Sequence, residues 1–106
     1  MKKKPIKIDR LFHALGDGTR RAIVDRLSRG PVSVSQLADQ LGITLTAVGQ
    51  HLAILEESGL AVTEKVGRVR TCQMASHGLD ALETWVRQHR SEWEKRMDAF
   101  ERLLDG

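Results

Sequence analysis

A chain of 106 residues that is 41% hydrophobic but only 4% aromatic is expected to form one domain with an aliphatic core. Its net charge of +3 and pI near 9.4 permit a polyanionic partner without requiring one. A single cysteine, Cys72, excludes an internal disulfide framework and suits a reducing cytosol, while no apolar run approaches the roughly 20 residues that cross a bilayer.

The opening Met1-Lys2-Lys3-Lys4-Pro5 is basic but has no apolar stretch after it, so a signal peptide is not expected. Residues 1–8 read as an N-terminal tail, whose lysines are either unstructured or an arm that touches phosphates. Residues 9–15 predict a first helix with Leu11, Phe12 and Leu15 on its apolar side, stopped by Gly16. Asp17 is placed to cap a second helix over 18–29. Ala22, Ile23 and Leu27 face inward there, Arg20, Arg21, Arg26 and Arg29 decorate the outside, and Gly30-Pro31 ends it. Ser33 and Gln36 have capping-box spacing at the head of a third helix over 34–41, which Gly42 stops.

The next helix, over 45–58, is the reader the rest is organised around. Thr44 occupies its N-cap position, and Val48, Leu52 and Leu55 form its inward stripe. At about 100° per residue, Thr46, Gln50 and Ala53 point directly away from that stripe, with Ala47 and Gly49 beside them. This outer face is small, polar and uncharged, whereas an ordinary solvated face carries Lys and Glu. Small side chains permit close approach to a surface, and Gln and Thr exchange hydrogen bonds with base edges. Two short helices joined by a tight turn containing glycine form a helix-turn-helix pattern.

Residues 60–74 alternate weakly and turn near Gly67, predicting a β-hairpin with Lys65, Arg68 and Arg70 at and beside its tip. A basic hairpin directly after a helix-turn-helix has the position of a wing. Residues 78–104 are periodic in Leu79, Leu82, Val86, His89, Trp93, Met97, Phe100 and Leu104. At about 1.5 Å per residue such a helix is about 40 Å long, too long for a compact domain of this size to cover. Its stripe is expected to be buried against a second copy, with Leu11 of the first helix, Leu82, Val86, His89, Trp93, Met97, Phe100 and Leu104 at the dimer interface. The expected fold is therefore mainly α with a small β-hairpin: a single winged helix-turn-helix domain over residues 1–106 with a long C-terminal dimerisation helix.

Order and content together resemble the ArsR-type winged helix-turn-helix transcription regulators, from about Asp9 to Leu104. The segments ALGDGTRRAIVDRL, AVGQHLAILEESGL and KVGRVR carry the likeness. The tail LETWVRQHRSEWEKRMDAFERLL is similar to members with a tryptophan-bearing dimer helix and no metal site. The resemblance implies a cytoplasmic bacterial homodimer that binds double-stranded DNA at a palindromic operator, usually to repress. By position it puts Thr44, Thr46, Ala47, Gln50 and His51 on or near the reading face and Lys65, Arg68 and Arg70 on the wing. His51 flanks the inward stripe, which suits a phosphate contact or packing better than base readout. Gly49 stands where a serine is usual, Gly18 where proline often opens the helix, and Cys72 where an aromatic residue is common.

Metal-sensing relatives carry paired cysteines at positions that are Ser33 and Ser35 here, poor ligands for soft metals. Others use a dimer-helix set of which His89 and Glu92 keep the second half, while the first half falls on Ser76 and Gly78. A displaced set with His77 or Asp80 is the remaining route to a metal site, and no full four-coordinate site assembles from it. No metal or other cofactor is therefore expected. Cys72 reads as inert packing rather than a redox sensor. Neither a phosphate loop nor a convergent acid–base pair is present, so catalysis is not expected. The alternatives to a DNA-binding repressor are a protein–protein adaptor on the same fold and a metal- or thiol-responsive sensor.

Overall fold

Three side-chain caps divide the first half of the chain. The structure, a computed structural model, describes residues 6–106; Lys2, Lys3 and Lys4 of the expected tail lie outside the described residues. Helix α1 (Ile8–Leu15) ends at Gly16, and Asp17 opens α2 (Gly18–Leu27) by accepting the Arg20 amide at 3.0 Å. A two-residue strand, β1 (Val32–Ser33), leads into α3 (Val34–Leu41), whose capping box is complete: Ser33 Oγ accepts from the Gln36 amide and Gln36 Oε1 accepts from the Ser33 amide. Gly42 turns the chain in the left-handed region at φ 66°, and α4 (Leu45–Glu57) starts under the Thr44 cap, whose Oγ1 accepts from the Ala47 amide at 3.1 Å. Helices α2, α3 and α4 thus each have a first-turn amide capped by a local side chain, which marks their starts without tertiary help.

The hairpin consists of β2 (Ala61–Val66) and β3 (Val69–Met74), and α5 (Ser76–Asp105) completes the chain. Gly67, at φ 64°, takes the first place of the two-residue hairpin loop, where the backbone twist favours glycine. Strand β1 joins the outer edge of β3, pairing Val32 with Cys72, so the sheet runs β1-β3-β2. That third strand is absent from the sequence reading, because two residues have no period to detect.

Leu11, Ile23, Leu37, Val48, Leu52, Leu55, Leu60 and Cys72 meet in one aliphatic core beneath the helices and the sheet. Ile6, expected in the tail, packs on that core, and Ile8 opens α1. Helix α2 stops at Leu27, short of Arg29, because Ser28, Arg29 and Gly30 close a tighter terminal turn. Two further expectations are corrected. Leu11 is 0% exposed and has no surface left to give a dimer interface, whereas Phe12 beside it is half-exposed. Arg20, expected on the outside, is only 8% exposed. It turns inward onto the carbonyls at the end of α1: its Nε donates to Ala14 O at 2.8 Å and its Nη2 to His13 O at 3.1 Å, which also accepts from the Gly16 amide.

Helix α5 begins against the end of α4, where the Gly78 amide donates to Gly59 O at 2.7 Å. Ala81 and Leu82 pack on the core and Trp85 meets Phe12 edge-on, with ring centroids 5.0 Å apart. Beyond Trp85 the helix leaves the domain. The chain measures 68 × 35 × 21 Å with a radius of gyration of 18.2 Å, well above the roughly 13 Å of a compact chain this long. Val86, Trp93, Phe100, Leu103 and Leu104 are all exposed, Trp93 at 63%. No helix among the described residues is long and apolar enough to cross a membrane.

Candidate nucleic-acid interface

The inward stripe of α4 is buried as its period requires: Val48, Leu52 and Leu55 are in the core. Thr46, Gly49, Gln50 and Ala53 are consequently exposed, Ala47 is half-buried, and no charged side chain appears on this helix before Glu56. Thr44 spends one lone pair on its cap and keeps its hydroxyl proton for a donor role. At the far end Arg10 of α1 pairs with Glu57 at 3.0 Å, an exposed ion pair that brackets the uncharged face.

His51 sits at the edge of this face, not on it. Arg20 Nη1 lies 3.3 Å from its Nδ1, and since a guanidinium only donates, the imidazole accepts there and carries its proton on Nε2 when neutral. Asp17 Oδ2 is 4.0 Å from the same nitrogen. The Arg20 amide's hydrogen bond holds the Asp17 carboxyl below its ordinary range; partial burial opposes this, and the charges of Arg20 and His51 reinforce it. Asp17, Arg20 and His51 therefore tie the start of α2 and the end of α1 to the middle of α4. The sequence signal for this was available: an arginine three residues after the cap, following a glycine-terminated helix.

On the wing, Lys65, Arg68 and Arg70 are exposed. Lys65 and Arg70 are register partners across β2 and β3, so two like charges stand opposite each other on one face. Such a pair is unfavourable in a free hairpin and is relieved by an anion bound between the two. Arg70 Nη2 donates to Thr63 Oγ1, which donates to Glu56 Oε1 at 2.9 Å. This chain of hydrogen bonds holds the wing against the C-terminal turn of α4.

The candidate sensing residues are not gathered. His89 stacks on Trp85 with centroids 3.9 Å apart and donates from Nδ1 to Trp85 O, so its ring is held on its own helix. Gly78 is buried where any Cβ would come within 2.5 Å of Ser58 O, so no ligand side chain fits at that position. Among the described residues no group of three or more His, Cys, Asp or Glu side chains is placed to hold a metal ion. Cys72 is fully buried, donates to Val32 O, and burial pushes its thiol pKa up, which disfavours the reactive thiolate.

A family model described as a helix-turn-helix domain matches residues 15–64. The chain is 39% identical over 98 residues to the HTH-type transcriptional regulator Rv2034 of Mycobacterium tuberculosis, covering 92% of this chain and 89% of that protein. A crystal structure of an ArsR family transcriptional regulator superposes with a TM-score of 0.77 at 41% identity, covering 89% of this chain and 97% of the other. The solution structure of a homodimeric winged helix-turn-helix DNA-binding domain from Mycobacterium bovis, a possible ArsR-family regulator, matches at 26% identity and a TM-score of 0.65, over 84% of this chain and 82% of the other.

Proposed function

This chain belongs to the ArsR-type winged helix-turn-helix transcriptional regulators, and from that premise we propose that it acts in the cytoplasm as a homodimeric repressor of a two-fold symmetric operator. The observation that carries this reading is an uncharged, exposed face on α4, a helix whose C-terminal turn is hydrogen-bonded to a wing with opposed like charges. Helix α4 enters the major groove and offers Thr46 and Gln50 to base edges, with Ala47 letting the backbone come close. Thr44 lies at the groove entrance, within reach of phosphate. His51, fastened to Arg20, orients the helix from behind. Lys65, Arg68 and Arg70 draw in and neutralise the flanking phosphates.

Two such surfaces are needed for a symmetric site. The stripe of exposed Val86, Trp93, Phe100 and Leu104 and half-buried Met97, with His89 at its edge and Leu82 and Phe12 at its inner end, is the seam on which two copies join. A two-fold seam sets the reader helices about one DNA turn apart, roughly 34 Å. A dimer seated on an operator that overlaps a promoter represses by excluding polymerase.

The test is a gel-shift titration on duplex DNA from upstream of the protein's own coding sequence, at graded salt. Wild-type protein is expected to bind one site as two chains. Gln50→Ala should cost about 1–3 kcal/mol on that site and little on random duplex. Arg68→Ala should weaken binding to both and flatten the salt slope by about one unit. Equal effects of the two substitutions on both duplexes would refute this division of labour, and no duplex binding at low salt would refute the function.

A further inference from the structure

Glycine in the middle of a helix costs about 1 kcal/mol relative to alanine, and a protein usually has an internal reason to bear that. Gly78 of α5 has one, since a Cβ there would strike the backbone of Ser58 and Gly59 within about 3 Å. Gly49 has none. It lies in the second turn of α4, its φ is not positive, and an added Cβ would meet nothing within 4 Å.

The same side of the helix holds a second anomaly. Leu45, one turn earlier, is 56% exposed and takes no part in the core. Side chains on a helix lean toward its N-terminus, so a side chain at position 49 would lie over Leu45. Glycine leaves Leu45 bare and opens a dent beside it. Glu56, seven residues past Gly49 and so on the same side, is held by Thr63 of β2. The dent therefore faces the wing edge of the reading surface, with the uncharged Thr46 and Ala53 as its exposed neighbours on the helix and Glu56 further along the same side.

We propose that Leu45 and Gly49 form an apolar notch that receives the 5-methyl group of a thymine, making them specificity-determining residues for one T·A pair in each half-site. The inference rests on the DNA-reading role of α4 given above. Among the groups that the major groove presents, only the thymine methyl is apolar, and an exposed leucine beside an empty Cβ position can satisfy nothing else there. Glycine supplies the room and leucine the contact surface.

Operator duplexes in which each thymine of a half-site is replaced in turn by 2′-deoxyuridine test this, because the exchange removes only the methyl. Wild-type protein should lose about four-fold in affinity at one position per half-site, the equivalent of one buried methylene. At that position Leu45→Ala and Gly49→Ala, each verified as folded by circular dichroism, should bind the thymine and deoxyuridine duplexes equally. Gly49→Ala should in addition melt at a higher temperature than wild type without DNA. The notch is overturned if wild-type protein binds every deoxyuridine duplex as tightly as the parent, or if a sensitive position stays sensitive in both variants. A wild-type protein that binds no operator at all would instead sink the DNA-reading role, and the notch with it.

Discussion

Arg20 is the residue on which three helices depend. Two carbonyls at the end of α1 and the imidazole of α4 share its guanidinium, and its own backbone amide satisfies the α2 cap. Charged hydrogen bonds in such a setting are worth about 1.5–3 kcal/mol each, and their loss leaves the buried Ala14 carbonyl without this partner. Arg20→Met is therefore expected to cost about 2–4 kcal/mol in urea unfolding at fixed protein concentration. Arg21→Ala removes one exposed bond, to Leu15 O, and should cost less than about 1 kcal/mol. Asp17 adds a pH dependence at the same point. Its folded pKa lies below the ordinary value, so its charge contributes fully above the unfolded pKa and is lost as pH falls through the folded one. Asparagine still caps a helix but cannot ionise. Asp17→Asn should thus melt lower than wild type at pH 7, with the gap closing as the pH drops below about 4.

Between elements, the decisive contact is the backbone meeting of α4 with α5. Ser58 is buried, Gly59 sits at φ 75°, and Gly78 presses on both. A Cβ at Gly78 would stand 2.5 Å from Ser58 O and 2.8 Å from Gly59 C, and backbone atoms cannot step aside as a flexible side chain would. The end of α4 thereby rests directly on the base of the long helix, backbone against backbone. Gly78→Ala is expected to cost at least about 1–3 kcal/mol, the scale of overpacking, and to reduce operator binding further than that loss of folded protein explains. Urea unfolding and gel shift on the same preparation separate the two effects. The wing is set by the opposite economy. Its strands meet at exposed Val66 and Val69, and its orientation comes from the Arg70–Thr63–Glu56 chain and from β1 on the far edge of β3.

On the scale of the whole molecule, most of the long helix stands outside the packed domain. Helix α5 buries only Gly78 fully, yet exposes three large apolar residues in its last six. An isolated helix with such a face gains its stability by packing, not by propensity. Trp93→Glu places a charge in the middle of the proposed seam and should shift the protein to monomer in sedimentation while the winged domain keeps its circular dichroism. Operator affinity should fall by about 100-fold or more, since each half-site is then held alone. A variant that stays dimeric would place the seam elsewhere on the surface.

The helices of this chain, their caps, the glycine turns and the outward face of α4 were all legible in the sequence, because each depends on groups within one or two turns of one another. Ser33 with Gln36, Thr44 with the Ala47 amide, and the spacing of Val48, Leu52 and Leu55 are interactions of short range, and they hold whatever the rest of the chain does. Only the tertiary structure decided that Leu11 faces its own core and Phe12 does not, and that Arg20 turns inward. The same is true of the pairing of Val32 with Cys72 and of the absence of room for a side chain at Gly78. Each of those outcomes is set by a group brought in from a distant part of the chain, and local periodicity contains no information on what arrives from there.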